Sequence, residues 1–450
     1  MKMYLKKAVA VTLSFTVMIN GCSVADMSNT DNKKNTKKNE SISDNCINSE
    51  SVSENNIESG EVILISSGYE KNSKKKAISL AAETDEYELI DIKTAQTVLN
   101  PKVSEVVIKE SGAKYYLIDF SELCDEGQYY IHSERNGNSN PFRIEDGYYK
   151  EVLSDRLSRF SEADMEFMGV NEDNFDRCYI RIADWLLAEI IFNNGKENMV
   201  VSKPLILAKS EIMKLKEYYD DELGLKAPIN RSSGDMYMYS AVFAMFSENC
   251  FFDKELSKEC LKIAEAVYEE ADKKNNLLKE DYDRHFFASA QLYKLTGNNN
   301  YRIAAESYEQ NLPSGFSEEN CGYLGEMAYL SCHYKTDFYL SGLMMEDIMN
   351  TATAIAKDDK ERVIYPYGYE SIKDNSFLEA GSEIRLLILA NYLSKSVIYI
   401  DAATERLNYL FGRNIDGINY VLDDTSEYYD EPMAFALTGM VNSYLYEINN

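Results

Sequence analysis

The residues best placed for chemistry are two adjacent acids near the end of the chain, Asp430 and Glu431. Pro432 follows them, and because proline suits the first turn of a helix, Glu431 is predicted to lie at or just before a helix start. The helix dipole there favours an ionised carboxylate, whereas burial or the charge of Asp430 would raise the pKa. A carboxyl of raised pKa can donate a proton, and a solvated one only caps the helix.

Tyrosines in predicted connections between helices are candidates for binding a sugar. Sugar rings present apolar C–H faces that stack on aromatic side chains, so a groove for glycans is expected to carry tyrosine or tryptophan. The substrate-binding candidates are Tyr367, Tyr428 and Tyr429. Trp185, the one tryptophan, lies within an apolar helical segment and is predicted to belong to the core.

Composition and motifs exclude several other functions. The formal net charge of −28 argues against nucleic acid, whose phosphates would be repelled. No nucleophile elbow and no phosphate or dinucleotide loop is present, so no cofactor is expected. The cysteines form no C-x-x-C pair, which argues against a zinc site. Cys250 with Cys260 and Cys321 with Cys332 could each bridge, and the alternative is that they are buried small apolar residues.

The N-terminus has the features of a targeting segment. Lysines precede an apolar run over 8–19, which is too short for an ordinary membrane span and suits a signal peptide. The run ends in Ile19-Asn20-Gly21-Cys22, which resembles a bacterial lipobox. This resemblance implies that Cys22 is acylated and anchors the protein at the extracellular face of the bacterial cell membrane. An ordinary signal peptide with a chance cysteine is the alternative.

The composition changes three times after the signal peptide of residues 1–22. Residues 23–60 are polar and are predicted to form a disordered linker. Residues 61–146 contain short strand-like runs separated by turn residues, as in a β-sandwich. These runs are 62–65, 76–80, 87–90, 106–108, 115–118 and 128–132.

Residues 147–450 have a helical apolar period. They contain about a dozen amphipathic segments, and that number suits six helical hairpins closed into an (α/α)6 barrel. An open solenoid is the alternative, but no repeating period is visible. The segments lie near 148–160, 176–194, 203–222, 235–248, 254–273, 282–295, 299–309, 320–334, 337–357, 376–395, 399–411 and 431–447.

The order of landmarks over 61–146 resembles the immunoglobulin-like domain that precedes the catalytic domain in many family 9 glycoside hydrolases. Any other small sandwich is the alternative. The landmarks are Gly68-Tyr69, Ile118-Asp119-Phe120-Ser121, Gly127-Gln128-Tyr129-Tyr130 and Pro141-Phe142-Arg143-Ile144.

The helical part resembles the family 9 glycoside hydrolases themselves, which are cellulases with an α/α barrel. The segment 406–414, Arg-Leu-Asn-Tyr-Leu-Phe-Gly-Arg-Asn, with Asn419-Tyr420-Val421 and Asp430-Glu431, is similar to the family's "YLLGRN…SYV…NE". The resemblance implies that Glu431 is the general acid of an inverting hydrolase of β-1,4-glucans. Such an enzyme needs a second carboxylate about 6.5–9.5 Å away to activate water.

That second carboxylate is not identified. The family's "GGW-x-DAGDY" loop belongs between Phe160 and Ile182, and its glycines, tryptophan and paired aspartates are absent there. Asp173, Asp176 and Asp184 are possible replacements, and each is also explained as an ordinary helix-cap or surface acid. Asp235 in Ser233-Gly234-Asp235-Met236-Tyr237 imitates "AGDY" but stands too late in the order of helices.

The sequence therefore predicts a β-glucan hydrolase lineage with reduced or lost hydrolysis. Residues 421–429 also lack the histidine and arginine with which the family grips substrate. A non-catalytic glycan-binding or cell-surface scaffold protein on the same fold is the alternative. A helical scaffold for protein–protein interaction is a third hypothesis.

Overall fold

The computed structural model describes strands and helices from residue 63 onward. The described residues are 63–80, 86–107, 114–159, 175–193, 199, 201–226, 232–274, 277–308, 321–361, 376–414, 417, 419 and 421. Cys22, Tyr367, Tyr428, Tyr429 and Glu431 lie outside them, as does the linker predicted at 23–60. Across these ranges, none of the helices combines the length and the apolar character that crossing a bilayer requires.

The first described region is a β-sandwich, as predicted. Its strands are β1 (Ile63–Leu64), β2 (Gly68–Glu70), β3 (Lys76–Ser79), β4 (Tyr87–Asp91), β5 (Gln96–Leu99), β6 (Lys102–Val107), β7 (Lys114–Asp119), β8 (Gly127–Ser133), β9 (Gly137–Asn138) and β10 (Phe142–Glu145). One sheet has the order β1-β3-β7-β6, and the other has the order β2-β10-β8-β4-β5 with β9 beside β8. The pairings are antiparallel except for the parallel pair β2 and β10.

The landmark aromatic residues of the sequence meet in the core of this sandwich. The ring of Tyr69 lies 5.2 Å from that of Phe120 and 5.6 Å from that of Phe142, in edge-to-face contacts. Tyr129 packs on Phe142 and donates a hydrogen bond to the Asp125 carbonyl. Aromatic pairs of this kind contribute about 0.5–1.5 kcal/mol each beyond their buried area.

The second region is helical. Its described helices are α1 (Tyr148–Arg159), α2 (Phe175–Asn193), α3 (Lys203–Lys216), α4 (Ser233–Asn249), α5 (Lys254–Lys274), α6 (Tyr282–Thr296), α7 (Asn299–Tyr308), α8 (Gly322–Leu330), α9 (Phe338–Glu361), α10 (Ser376–Leu393) and α11 (Val397–Leu410). A short hairpin, β11 (Tyr219–Asp220) and β12 (Gly224–Leu225), joins α3 to α4. The helix predicted at 431–447 lies outside the described residues.

Inner and outer helices alternate along the chain. Nearly every residue of α4 is buried, and α6 and α8 are similar, so these helices are surrounded by protein. In contrast, α5 buries one stripe that includes Leu256, Cys260, Ile263 and Val267 and exposes charged residues on its other face. This difference follows from the sequence, because α4 is apolar on all sides whereas α5 is amphipathic.

Hydrogen bonds fix the direction of the helices. Ser247 near the end of α4 donates to the Ser257 carbonyl near the start of α5, and Tyr237 near the start of α4 donates to Asp272 near the end of α5. The two helices are therefore antiparallel. The inner helices α4 and α6 are parallel, because Lys294 near the end of α6 pairs with Glu248 near the end of α4. We call the end where inner helices begin the mouth, and the opposite end the floor.

The sandwich contacts the helices through the segment that most resembles the cellulase family. The ring of Phe411 lies 5.7 Å from that of Tyr148 and 6.2 Å from that of Tyr149, both at the start of α1, and the Tyr148 hydroxyl lies 3.2 Å from the Ser67 hydroxyl of the sandwich. Ser67 donates its backbone N–H to the Phe411 carbonyl at 2.9 Å and accepts from the Asn419 amide at 2.8 Å. This segment therefore joins the two regions, and we call these contacts the junction.

Two ion pairs complete the junction. Glu405 of α11 pairs with Lys76 of β3 at 3.1 Å and with the buried Arg413 at 2.7 Å. Burial alone would raise the pKa of the Glu405 carboxyl, but Arg413 and Lys76 together hold it below its ordinary value of 4.5. The carboxylate is therefore ionised at neutral pH.

Candidate functional site

The mouth gathers polar side chains at the starts of three inner helices, and those of α4 and α6 are charged. Ser232 is the N-cap of α4, and its hydroxyl oxygen accepts the backbone N–H of Asp235 at 3.0 Å. The same hydroxyl donates to the Asp235 carboxylate at 2.6 Å. This cap fixes Asp235 in the first turn of α4, where an acidic side chain also interacts favourably with the helix dipole.

Arg284 lies between two carboxylates of the mouth. Its Nη1 is 3.0 Å from Oδ1 of Asp235, and its Nε is 3.7 Å from Oδ1 of Asp281. A Cβ atom at Gly234 would overlap the Asp281 carboxylate, so the glycine permits this close approach. Burial raises the pKa of the Asp281 carboxyl, and the nearby Arg284 opposes that rise.

The start of α8 is attached to the same cluster. Asp283 is buried and accepts the backbone N–H of Cys321 at 3.0 Å and its thiol at 3.3 Å. Burial and the adjacent Asp283 carboxylate raise the pKa of the Cys321 thiol well above its ordinary value. Cys321 is therefore a protonated hydrogen-bond donor and not a nucleophilic thiolate.

His285 follows Arg284 on α6 and is buried in a hydrogen-bonded network. Its Nε2 lies 3.1 Å from the Tyr268 hydroxyl, which also lies 2.8 Å from the Ser289 hydroxyl. The ring of Tyr237 packs edge-on against the imidazole at 4.5 Å. Burial lowers the pKa of His285 to about 4, so the imidazole is neutral at pH 7. His285 therefore serves as a core residue.

A second charged pair lies among the inner helices. Asp184 of α2 and Arg385 of α10 are almost fully buried, and their Oδ2 and Nη1 atoms are 2.5 Å apart. The Arg385 guanidinium also lies 5.3 Å from the ring centroid of Tyr323 on α8. The contacts of Arg385 thus connect three inner helices. Trp185 beside Asp184 is fully buried, which confirms the prediction that it belongs to the core.

The residues predicted as candidates for the general base lie in different surroundings. Asp184 and Asp235 are each ion-paired with an arginine, and Asp173 lies outside the described residues. Asp176 lies in α2. Asp235 and Asp281 both approach the Arg284 guanidinium, which lies between them. An arginine side chain therefore separates this pair, whereas an inverting mechanism needs a sugar and a water between its two carboxyls.

Sequence reasoning missed Arg284, Asp281 and Arg385. A usable signal was available for the first two, because an acid and an arginine at the start of a mostly buried helix must find partners within the protein. No comparable signal was available for Arg385, whose partner is distant in the sequence.

Metal ligands and disulfides are absent from the described part of the chain. Within it, no group of three or more histidine, cysteine, aspartate or glutamate side chains could hold a metal ion. Its six cysteines are free, and four of them, Cys178, Cys250, Cys260 and Cys321, are buried. These four therefore serve as small core residues.

Comparison with family models identifies both regions. The model for glycosyl hydrolase family 9 matches residues 219–442, and the model for the cellulase N-terminal ig-like domain matches residues 58–138. The first match includes α4 to α11, the junction segment and Glu431. No curated protein matches the sequence.

Solved structures with the same fold include several cellulases. A family 9 protein of Bacteroides ovatus superposes with a TM-score of 0.69 at 15% identity, covering 85% of this chain and 99% of that one. A single mutant of a thermostable endoglucanase from Alicyclobacillus acidocaldarius superposes with a TM-score of 0.68 at 16% identity, with coverages of 85% and 99%. AaCel9A in complex with cellobiose-like isofagomine gives 0.68 at 15% identity, with coverages of 84% and 99%. These similarities confirm the immunoglobulin-like sandwich followed by an (α/α)6 barrel.

Proposed function

Because the chain belongs to glycosyl hydrolase family 9, we propose that it binds β-1,4-glucan chains at the mouth of its barrel and that its hydrolysis is reduced or lost. A carbohydrate ligand is supported by AaCel9A, which has the same fold and is known in complex with a cellobiose-like sugar. The described starts of α4, α6 and α8 provide a polar mouth for hydroxyl groups. The starts of α4 and α6 carry Asp235, Asp281 and Arg284.

The proposal of reduced hydrolysis is supported by the ion pairs of the two candidate bases that the structure describes. A general base must be free to accept a proton from water, and Asp184 and Asp235 are instead held by Arg385 and Arg284. An arginine partner lowers the proton affinity of a carboxylate. Loss of a general acid or base typically lowers the rate about 10²–10⁴-fold.

The remaining roles are assigned from the sequence. Glu431 is the general acid, and Tyr367, Tyr428 and Tyr429 stack on the sugar. Cys22 carries a lipid that holds the protein at the extracellular face of the cell membrane. A cell-surface position suits a ligand that is a polymer too large to enter the cell.

The test compares the full chain with its Glu431→Gln variant in the release of reducing sugar from soluble β-glucan. A family 9 endoglucanase serves as the positive control. We expect binding of the glucan by affinity electrophoresis and a hydrolysis rate at least about 10²-fold below the control. Any residual hydrolysis should be slower still in the Glu431→Gln variant. The substitution should leave glucan binding unchanged.

The outcomes separate the hypotheses. A rate equal to that of the control would contradict reduced hydrolysis, and equal residual rates in the chain and the Glu431→Gln variant would eliminate Glu431 as the acid. Binding without any reducing sugar would favour the non-catalytic scaffold, which the missing histidine and arginine of residues 421–429 also favour. Absence of glucan binding would contradict the proposal as a whole.

A further inference from the structure

Large apolar side chains are exposed where described inner helices end and outer helices begin. In the turn from α8 to α9, Phe338 is 90% and Tyr339 is 69% exposed. At the start of α11, Val397 is 63% and Ile398 is 51% exposed. Met199 and Val201 before α3 and Phe252 before α5 are exposed as well. Paired aromatic and aliphatic residues in this state are unusual on a soluble surface, where exposed apolar residues are mostly scattered.

These four turns belong to the same end of the barrel, the floor. The parallel inner helices α4 and α6 end together, as the pair of Glu248 and Lys294 shows. The turn after α8 lies beside the end of α6, because Tyr293 donates a hydrogen bond to the Lys335 carbonyl. The start of α3 lies at the same end, because Tyr239 in the first half of α4 donates a hydrogen bond to the Leu215 carbonyl near the end of α3, which makes the two helices antiparallel. The end of α10 lies there too, because Tyr392 is close enough to Glu248 for that carboxylate to help raise the pKa of its hydroxyl.

A lysine accompanies the apolar residues in each of the four turns. Lys203 follows Val201, Lys254 follows Phe252, Lys335 precedes Phe338 and Lys395 precedes Val397, and all four lysines are exposed. Acidic residues lie in two of these turns as well, Asp253 and Glu255 beside Lys254 and Asp337 beside Phe338. The four turns thus combine exposed apolar side chains with a slight excess of ammonium groups, although the whole chain is strongly acidic. Aromatic and aliphatic tips flanked by lysine are typical of surfaces that enter the interface of an anionic bilayer.

We propose that the floor of the barrel docks on the membrane lipid surface. This inference rests on the membrane placement in the proposed function. The occupant follows from the chain itself, since the predicted lipid site at Cys22 is joined to β1 by residues 23–62. A disordered chain of that length, as the sequence predicts for residues 23–60, has a root-mean-square reach of about 35 Å. The bilayer is then within reach of the barrel at high effective concentration, so a few inserted side chains suffice to hold it. Docking on the floor directs the mouth away from the membrane, toward extracellular polymer.

Hydrogen–deuterium exchange tests this orientation in the full chain. The chain is measured free and bound to vesicles of phosphatidylethanolamine and phosphatidylglycerol. We expect exchange to slow at least about threefold in peptides covering 199–203, 250–256, 332–341 and 394–400. Peptides covering 219–226 are the internal control, because that hairpin joins α3 to α4 at the mouth. Equal exchange at all four turns with and without vesicles would overturn the proposal.

Matched variants strengthen the test. The doubles Phe338→Ser with Tyr339→Ser, and Val397→Ser with Ile398→Ser, remove exposed side chains and are expected to leave the melting temperature unchanged. For each double, the lipid concentration that gives half-maximal protection of its own turn should rise about tenfold. The control is Leu223→Ser, which removes a 70% exposed side chain at the mouth. It should leave the vesicle-dependent protection of all four turns unchanged.

Two further outcomes would also overturn lipid docking. In the first, the Phe338 and Tyr339 double loses retention on insoluble β-glucan while its protection by vesicles is unchanged, which would make the floor a sugar platform. In the second, the doubles convert a dimer to a monomer without any protection by vesicles. The intact mass of the membrane-bound chain reports acylation of Cys22 separately, so failure of the anchor and failure of the floor are distinguishable.

Discussion

Burial decides the protonation state of His285. The imidazole is enclosed by Tyr237 and Tyr268, and its Nε2 shares a hydrogen bond with the Tyr268 hydroxyl. Asp272 has an oxygen 4.0 Å from Nε2, but that oxygen already accepts the Tyr237 hydroxyl. Desolvation therefore dominates and disfavours the charged ring.

This histidine gives a prediction for stability against pH. The unfolded histidine gains a proton as pH falls through 6.5, whereas the folded one stays neutral until about 4. The free energy of unfolding should therefore decrease by up to about 3 kcal/mol between these values. Replacing His285 with glutamine should remove that part of the pH dependence, as measured by urea unfolding at pH 7, 5.5 and 4.5.

The matched control is His333→Gln, which changes an exposed histidine in the turn between α8 and α9. It should leave the pH dependence of unfolding as it is in the unchanged chain. A His285→Gln variant whose stability still falls to the same extent below pH 6.5 would show that other groups cause the loss.

At the scale of elements, the inner helices α6 and α8 approach each other closely at Gly325. A Cβ atom at Gly325 of α8 would overlap the ring of Phe286 and lie 3.1 Å from the Cα of Phe287, both on α6. Since the obstacle includes backbone, the helices would have to move apart. Overpacking of this kind typically costs about 1–3 kcal/mol.

We therefore expect Gly325→Ala to lower the free energy of unfolding by about 2 kcal/mol. Gly342→Ala is the comparison, because Gly342 lies in α9 and a Cβ atom added there would meet nothing within 4 Å. That substitution should stabilise the protein by about 0.5–1 kcal/mol, since alanine is the better helix former. Chemical denaturation of both variants measures the difference, and equal effects would refute close packing of α6 and α8.

Most helices were predictable because their apolar period is determined locally, and the described starts and ends agree within a few residues with the predicted ones. The segment predicted as one helix over 203–222 was wrong at its end. There α3 stops at Lys216, and Asp220 accepts the backbone N–H groups of Glu222 and Leu223 to form a turn into β12. Gly224 in the left-handed region, with φ of 69°, completes that hairpin.

The charged residues of the mouth were less predictable than the helices. Arg284 and Asp235 are 49 positions apart, and Arg385 and Asp184 are 201 apart, so their pairing depends on how the ring closes. No local pattern carries that information. The assignments of Glu431, Tyr367, Tyr428 and Tyr429 rest on sequence and stay predictions.

At the scale of the whole molecule, the sandwich and the helices share one set of contacts. Ser67 of the sandwich bonds to the Phe411 carbonyl and contacts the Tyr148 hydroxyl of α1, and Glu405 connects β3 to the buried Arg413. Residues 56–450 form one compact unit. We therefore expect the two regions to unfold together.

Glu405→Gln tests this coupling by calorimetry. Removing one member of a buried charge pair leaves Arg413 uncompensated and should cost about 3 kcal/mol, with a single transition retained. Because the folded pKa of Glu405 is depressed, its contribution is present above pH 4.5 and is lost as pH falls below that value. The variant and the unchanged chain should then converge.

The comparison for this variant is Glu122→Gln, which breaks an exposed pair with Lys102 and should leave the free energy of unfolding nearly unchanged, because solvent screens the pair. A calorimetric trace in which Glu405→Gln shifts only one of two separate transitions would show that the regions unfold independently.

The junction has a consequence for how such chains can be recombined in evolution or in the laboratory. A barrel separated from its sandwich would lose the Ser67 hydrogen bond to the Phe411 carbonyl and the Lys76 partner of Glu405. Gene fusions that exchange the N-terminal module must therefore carry over β3 and α11 as a matched set, and a graft that replaces only one of them would yield an insoluble product.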